Sequence, residues 1–209
     1  NSATYAAWGW AAGNSSGSSN SDGATTTTVS ASSISGFSIV KWTGTGSATT
    51  LGHGLGSVPK MILIKNLADA DSWVVYHVDV GNTKGLTLND TSSPTTASTF
   101  FNNTTPTSTV FTVGSGGRTN GSSDPMIAYV FSDVLGFSKF GKYVGNGSSS
   151  SGQYVHTGFK PRYVLIKRIT SGQTNRWFIF DADRAAVSGA NAISTQFFAE
   201  LTTAESVPD

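Results

Sequence analysis

The chain repeats itself, and this constrains its fold more than any other feature. Gly36-Phe37-Ser38-Ile39-Val40-Lys41-Trp42-Thr43-Gly44-Thr45-Gly46 returns as Gly136-Phe137-Ser138-Lys139-Phe140-Gly141-Lys142-Tyr143-Val144-Gly145-Asn146-Gly147. Gly54-Leu55-Gly56-Ser57-Val58-Pro59-Lys60-Met61-Ile62-Leu63-Ile64-Lys65 returns as Gly158-Phe159-Lys160-Pro161-Arg162-Tyr163-Val164-Leu165-Ile166-Lys167. Trp73-Val74-Val75-Tyr76-His77 returns as Trp177-Phe178-Ile179-Phe180-Asp181, and the offset drifts from 100 through 102 to 104. Blocks that keep their order while their spacers change length read as strands joined by variable loops. Upstream, Ala6-Ala7-Trp8-Gly9-Trp10 occupies the place held by Ile127-Ala128-Tyr129-Val130-Phe131, with a much longer link to the block that follows.

Each block has strand chemistry. Residues 61–64 and 163–166 are short apolar runs entered past a Pro and left through a Lys, as for a strand covered on both faces. Residues 73–76, 177–180 and 110–113 are aromatic and β-branched. The glycines at 44/46 and 145/147 suit positive φ at a hairpin turn. Leu63 and Leu165 are expected in the interior. Residues 197–201 align with Leu86-Thr87-Leu88 and read as a strand, although Ile193, Phe197 and Leu201 also have helical spacing behind Ser188 or Ser194. A helical fold is excluded by composition: the chain has two Glu, Glu200 and Glu205, against 31 Ser and 27 Thr. The expected fold is all-β, two similar antiparallel β-sandwich (jelly-roll-like) repeats with little or no helix. Residues 1–35 form an N-terminal strand and a Ser/Gly/Asn-rich link, mobile from 13 to 23. Residues 36–125 form the first repeat. Residues 126–209 form the second, which stops before counterparts of residues 100–101 and 110–113. The chain is therefore expected to be part of a longer polypeptide.

Charge and cysteine bound the chemistry. With 13 Lys+Arg against 12 Asp+Glu, no field draws nucleic acid or acidic lipid by charge alone. Without cysteine there is neither disulfide nor thiolate metal site. The longest apolar runs fall far short of the ~20 residues a membrane helix needs.

The repeated motifs resemble a domain family of tail-fibre-like and other virion structural proteins of tailed bacteriophages, notably marine ones. Its members carry an Ala-Trp strand, a Gly-Phe-Ser-Ile-Val block, a Gly-His-Gly-Leu-Gly…Pro block, a Trp-x-Val-Tyr-His strand and the second-copy versions. Here these are residues 36–46, 52–65, 73–77, 136–147 and 156–167. The resemblance implies a virion structural protein, a tail-fibre or particle-surface module for assembly and host-surface adhesion, with no catalysis and no cofactor. It also implies that the partners are other virion proteins and copies of itself, possible trimers among them. A carbohydrate-binding module or a glycan-degrading tailspike domain are the alternatives.

The candidate chemistry is sparse. His53, His77 and His156 lack the spacing of a ligand set, and Asp181, Asp183 and Asp79 look like carboxylates of turns leaving strands. The expected catalytic and metal residues are none. The Gly-rich runs at 52–56 and 114–117 are followed by no Lys-Ser/Thr, so they are not phosphate cradles. Trp73 and Trp177 hold one repeat position and read as core. Trp8, Trp10, Phe100 and Phe101 are the candidate interface residues, expected near a subunit or domain boundary.

Overall fold

Strands with an apolar residue at every second position must bury one face, and such strands form the centre of one eight-stranded sheet with polar strands at its edges. The computed structural model describes residues 7–13, 16–148, 150–170, 175–183 and 196–201. In chain order the strands are β1 (Ser18–Asn20), β2 (Thr27–Ser32), β3 (Phe37–Thr43), β4 (Thr49–Gly52), β5 (Met61–Asn66), β6 (Val74–His77), β7 (Lys84–Thr87) and β8 (Thr95–Thr96). There follow β9 (Val110–Val113), β10 (Pro125–Phe131), β11 (Tyr163–Lys167), β12 (Trp177–Asp181) and β13 (Phe197–Phe198). Two single-turn helices, α1 (Ser98–Phe101) and α2 (Gly117–Asn120), flank β9. The fold is all-β, and every pair of these strands is antiparallel.

The large sheet runs β1-β2-β3-β10-β5-β6-β7-β8. β10 lies in its middle, with Phe131 opposite Phe37 on one side and opposite Met61 on the other. The expected boundary at residue 126 therefore cuts through a central strand: β10 completes the first sheet although it opens the second copy in sequence. Residues 1–35 likewise are more than a link. Ser18, Ser19 and Asn20 pair with Val29, Thr28 and Thr27. A polar edge strand exposes its side chains to water while its backbone joins the ladder, so composition alone reads it as a loop.

One face of this sheet packs on the β4–β9 ribbon and the two helices. Val40, Ile62, Ile64, Leu51 and Phe111 fill that core and are almost wholly buried. Leu63 and Leu165 were expected in the interior, but both lie partly buried in a second layer. There Met61, Val75 and Leu86 meet Trp177. The side-chain period of two puts Ile62 and Ile64 in the main core and turns Leu63 to the opposite face.

The second copy reproduces part of the first. β11 and β12 pair with Tyr163 opposite Asp181, as Met61 lies opposite His77 in β5 and β6. β13 pairs Phe197 with Ile179, as Leu86 pairs with Val75, so the strand reading of Phe197 and Phe198 holds. Matched glycines share a left-handed backbone: Gly36 and Gly136, Gly46 and Gly147, Gly54 and Gly158. Gly44 does not; it is needed because any Cβ there would overlap the Gly121 carbonyl. Among the described residues the second Gly-Phe-Ser block forms no strand, only a bridge between Val134 and Ser138.

A buried polar hub ties the β3–β4 turn to α2. Asn120 is fully buried. Its amide donates to Thr45 Oγ1 at 2.9 Å, Ser47 O at 2.7 Å and Gly114 O at 3.1 Å. Its Oδ1 accepts from Thr45 N at 2.9 Å and Trp42 Nε1 at 3.3 Å. Every hydrogen-bonding position of this amide is used. Two outcomes follow. In urea unfolding Asn120→Ala is expected to lose roughly 1–3 kcal/mol for the donors it strands. Ile62→Ala is expected to lose about 2–5 kcal/mol, and Leu63→Ala clearly less.

Candidate functional site

Side chains on the outer face of the large sheet alternate with those of the core. β3 and β10 therefore place Phe37, Tyr129 and Phe131 together. From there a row of rings crosses to the second sheet. Trp73 stacks on Tyr129 at 5.9 Å and Tyr129 on Phe37 at 6.2 Å, and Phe37 lies tilted against Phe131 at 4.8 Å. Trp10 meets Phe131 edge-on at 6.1 Å and Tyr163 at 5.7 Å. Trp8 then meets Tyr163 at 5.7 Å and Phe197 at 6.0 Å. Eight rings thus form a continuous seam joining the N-terminal segment, β10 and the second copy. Edge-on aromatic pairs add stabilisation beyond their buried area.

Polar contacts close the seam. Trp8 Nε1 donates to Asp181 Oδ2 at 2.5 Å, and the Asp183 backbone N–H donates to Asp181 Oδ1 at 2.8 Å. Burial, together with the Asp181 charge, pushes the Tyr163 hydroxyl up to about 12. Behind it, Trp177 Nε1 donates to Thr87 O at 2.8 Å and Lys167 Nζ to Asp90 O at 3.1 Å. Burial pulls the Lys167 ammonium down, opposed by Asp90 and Glu200. Trp177 is core, as its repeat position implies; Trp73 is half-buried at the far end of the seam.

The four candidate interface residues separate into two pairs. Trp8 and Trp10 lie where the N-terminal segment meets the second sheet. Phe100 and Phe101 were expected near a boundary but are buried inside the first copy. The single turn of α1 aims Phe101 at Tyr76, 5.5 Å away, and sets Phe100 under the Arg118 guanidinium. Two adjacent aromatics in a polar run suggest exposure only while the run is taken as extended. A helical turn lets both point inward.

Beside Trp10 is a groove of about 390 Å³, lined by Ala12, Gly13, Thr28, Ser30, Ile39 and Lys41 among others. Trp10 forms one wall and is 45% exposed. Strand alternation puts Thr28, Ser30, Ile39 and Lys41 on one side of β2 and β3. An aromatic wall over hydroxyls and an ammonium suits a polyhydroxylated ligand bearing an acid group. The sequence reading missed this groove because part of its lining, Ala12 to Gly17 and Thr28 to Ser30, falls in the segment read as a link, and only the β2–β3 pairing brings that part beside Ile39 and Lys41.

Residues 1–207 match the family model described as Domain of unknown function (DUF7483). The chain belongs to that family. No curated protein and no solved structure matches it.

In this DUF7483 chain His53 and His77 are held by backbone contacts, and His156 is exposed. His53 is fully buried; its Nε2 lies 3.3 Å from Thr107 O and its Nδ1 accepts from Leu55 N at 3.3 Å. His77 Nδ1 accepts from Asp79 N at 3.2 Å. Among the described residues no three His, Asp or Glu side chains group as a metal site, and no helix is long and apolar enough to cross a membrane.

Burial lowers both histidines below their ordinary 6.5; the Thr107 carbonyl and Asp22 oppose this at His53, and Asp79 and Asp133 oppose it at His77. Folded protein thus binds fewer protons than unfolded protein just below 6.5. Stability is full above that pH and falls as acid is added. Melting at a series of pH values is expected to show Tm dropping as pH falls from about 7.5 to about 5.5, with a shallower slope in His53→Gln.

Proposed function

We propose that the chain is a bacteriophage virion structural protein, a tail-fibre or particle-surface module that assembles with other virion proteins and with copies of itself. It acts without catalysis, by presenting its surface to the host. The support is the motif set at 36–46, 52–65, 73–77, 136–147 and 156–167, together with one structural observation. The eight-ring seam welds two copies of a module into a single unit, which suits a part whose task is to transmit load and hold shape.

A second reading, carbohydrate binding, is favoured by the Trp10 groove. Indole faces stack on the apolar faces of sugars, and Thr28, Ser30 and Lys41 supply polar partners.

Two measurements test these readings. Antibodies to the chain are expected to decorate tail appendages or the capsid surface of purified particles of the virus encoding it; unlabelled particles would sink the structural role. Host surface polysaccharide is expected to quench tryptophan fluorescence saturably, with Trp10→Ala losing roughly tenfold or more in affinity.

A further inference from the structure

Directly paired residues of neighbouring strands share one face of a sheet. The register of β2, β3, β10 and β5 therefore sets Thr28, Lys41, Ile127 and Lys65 in a single row on the outer face. Ile127 is the direct partner of Lys41 on one side and of Lys65 on the other. The two lysine stems thus flank it two strand spacings apart, roughly 10 Å. Thr28 and Lys41 are exposed, and Ile127 and Lys65 are half-buried. Among the described residues neither ammonium enters an ion pair. Lys65 Nζ donates to two backbone carbonyls, Asn66 O at 2.5 Å and Asp69 O at 2.7 Å. The Trp10 groove opens onto this row, because Thr28 and Lys41 belong to its lining.

We propose, resting on the carbohydrate reading of the Trp10 groove, that its ligand is an acidic polysaccharide carrying carboxylates on more than one sugar, selected by Lys41 and Lys65. Each part of the row has a task. The Trp10 indole is held edge-on by Phe131 and Tyr163, so it takes a sugar ring with little further ordering. The Thr28 hydroxyl meets sugar hydroxyls beside it. Lys41, at the mouth of the groove, takes the first carboxylate, and Lys65, across Ile127, takes one further along the same chain. A polyanion recognised by charge alone does not fit. With 13 Lys+Arg against 12 Asp+Glu the chain has no broad positive field, so ring and hydroxyl contacts must share the binding. An ammonium is a point charge on a flexible stem, which suits carboxylates whose position varies from sugar to sugar.

The test titrates galacturonate and glucuronate oligomers into the whole chain, beside the same oligomers reduced at the carboxyl to neutral sugars, and polyglutamate as a polyanion without rings. Saturable tryptophan quenching by an acidic oligomer is expected, weakening as salt is added. The neutral oligomers are expected to bind several-fold more weakly, and polyglutamate not at all. Lys41→Gln, a surface change that leaves the core intact, is expected to lose roughly twofold to fivefold for the acidic oligomer, the worth of one exposed charge pair. It is expected to lose nothing for the neutral one. Lys65→Gln, its folding checked by a melting curve, is expected to behave alike. Equal affinity for acidic and neutral oligomers, or full affinity of Lys41→Gln for the acidic one, overturns acid selection and leaves the carbohydrate reading standing. Equal binding by polyglutamate overturns it as well, since charge alone then suffices. Binding of no oligomer, acidic or neutral, overturns both.

Discussion

Everything else in the molecule depends on β10 lying between β3 and β5. Without it those two strands have no common partner, and the eight-stranded sheet falls into two pieces. Its alternating side chains serve two layers at once: Met126, Ala128 and Val130 enter the main core, and Tyr129 and Phe131 join the aromatic seam. Phe131 pairs with Phe37, so the centre of the sheet closes a loop of almost a hundred residues. Such non-local pairing must overcome loop-closure entropy before it is rewarded, which makes late, concerted formation of the sheet the natural order.

The same strand makes the two copies inseparable. It belongs to the first sheet by hydrogen bonding and to the second copy by sequence, and Phe131 also contacts Phe140 of the second Gly-Phe-Ser block at 6.0 Å. The small β11-β12-β13 sheet is anchored on the outer face of β5, β6 and β7 through Trp177, Leu165 and the bonds to Thr87 and Asp90. Three short strands, one of only two residues, bury little apolar surface by themselves. Their stability is borrowed from the first copy and from the Trp8–Trp10 segment, which gives a physical reason for the tandem arrangement.

A related asymmetry explains why one copy is closed and the other open. In the first, β9 and the helices supply a cover for β4 and a place for Asn120, whose amide holds the neighbouring turn. In the second, the equivalent residues carry the same pattern but meet water. Tyr143 and Val155 of the second copy thus stand at the positions of buried Trp42 and Leu51 and are about half exposed.

Much of this was legible in the residues. Aligning Met61-Ile62-Leu63-Ile64 with Tyr163-Val164-Leu165-Ile166, and His77 with Asp181, implies the register that β11 and β12 adopt. Phe197 could be called a strand because Leu86 is one. These were readable because a strand's identity is carried by its own side chains and their period. What the residues alone determined is therefore local: the all-β character, the positions of most strands and the turn glycines. Tertiary structure decided the rest. It sent β10 to the first sheet, turned Phe100 and Phe101 inward on one helical turn, made an edge strand of Ser18–Asn20 and buried Asn120. Each of these is settled by which distant backbone or cavity is available to a segment, and a segment's own composition carries no record of its neighbours.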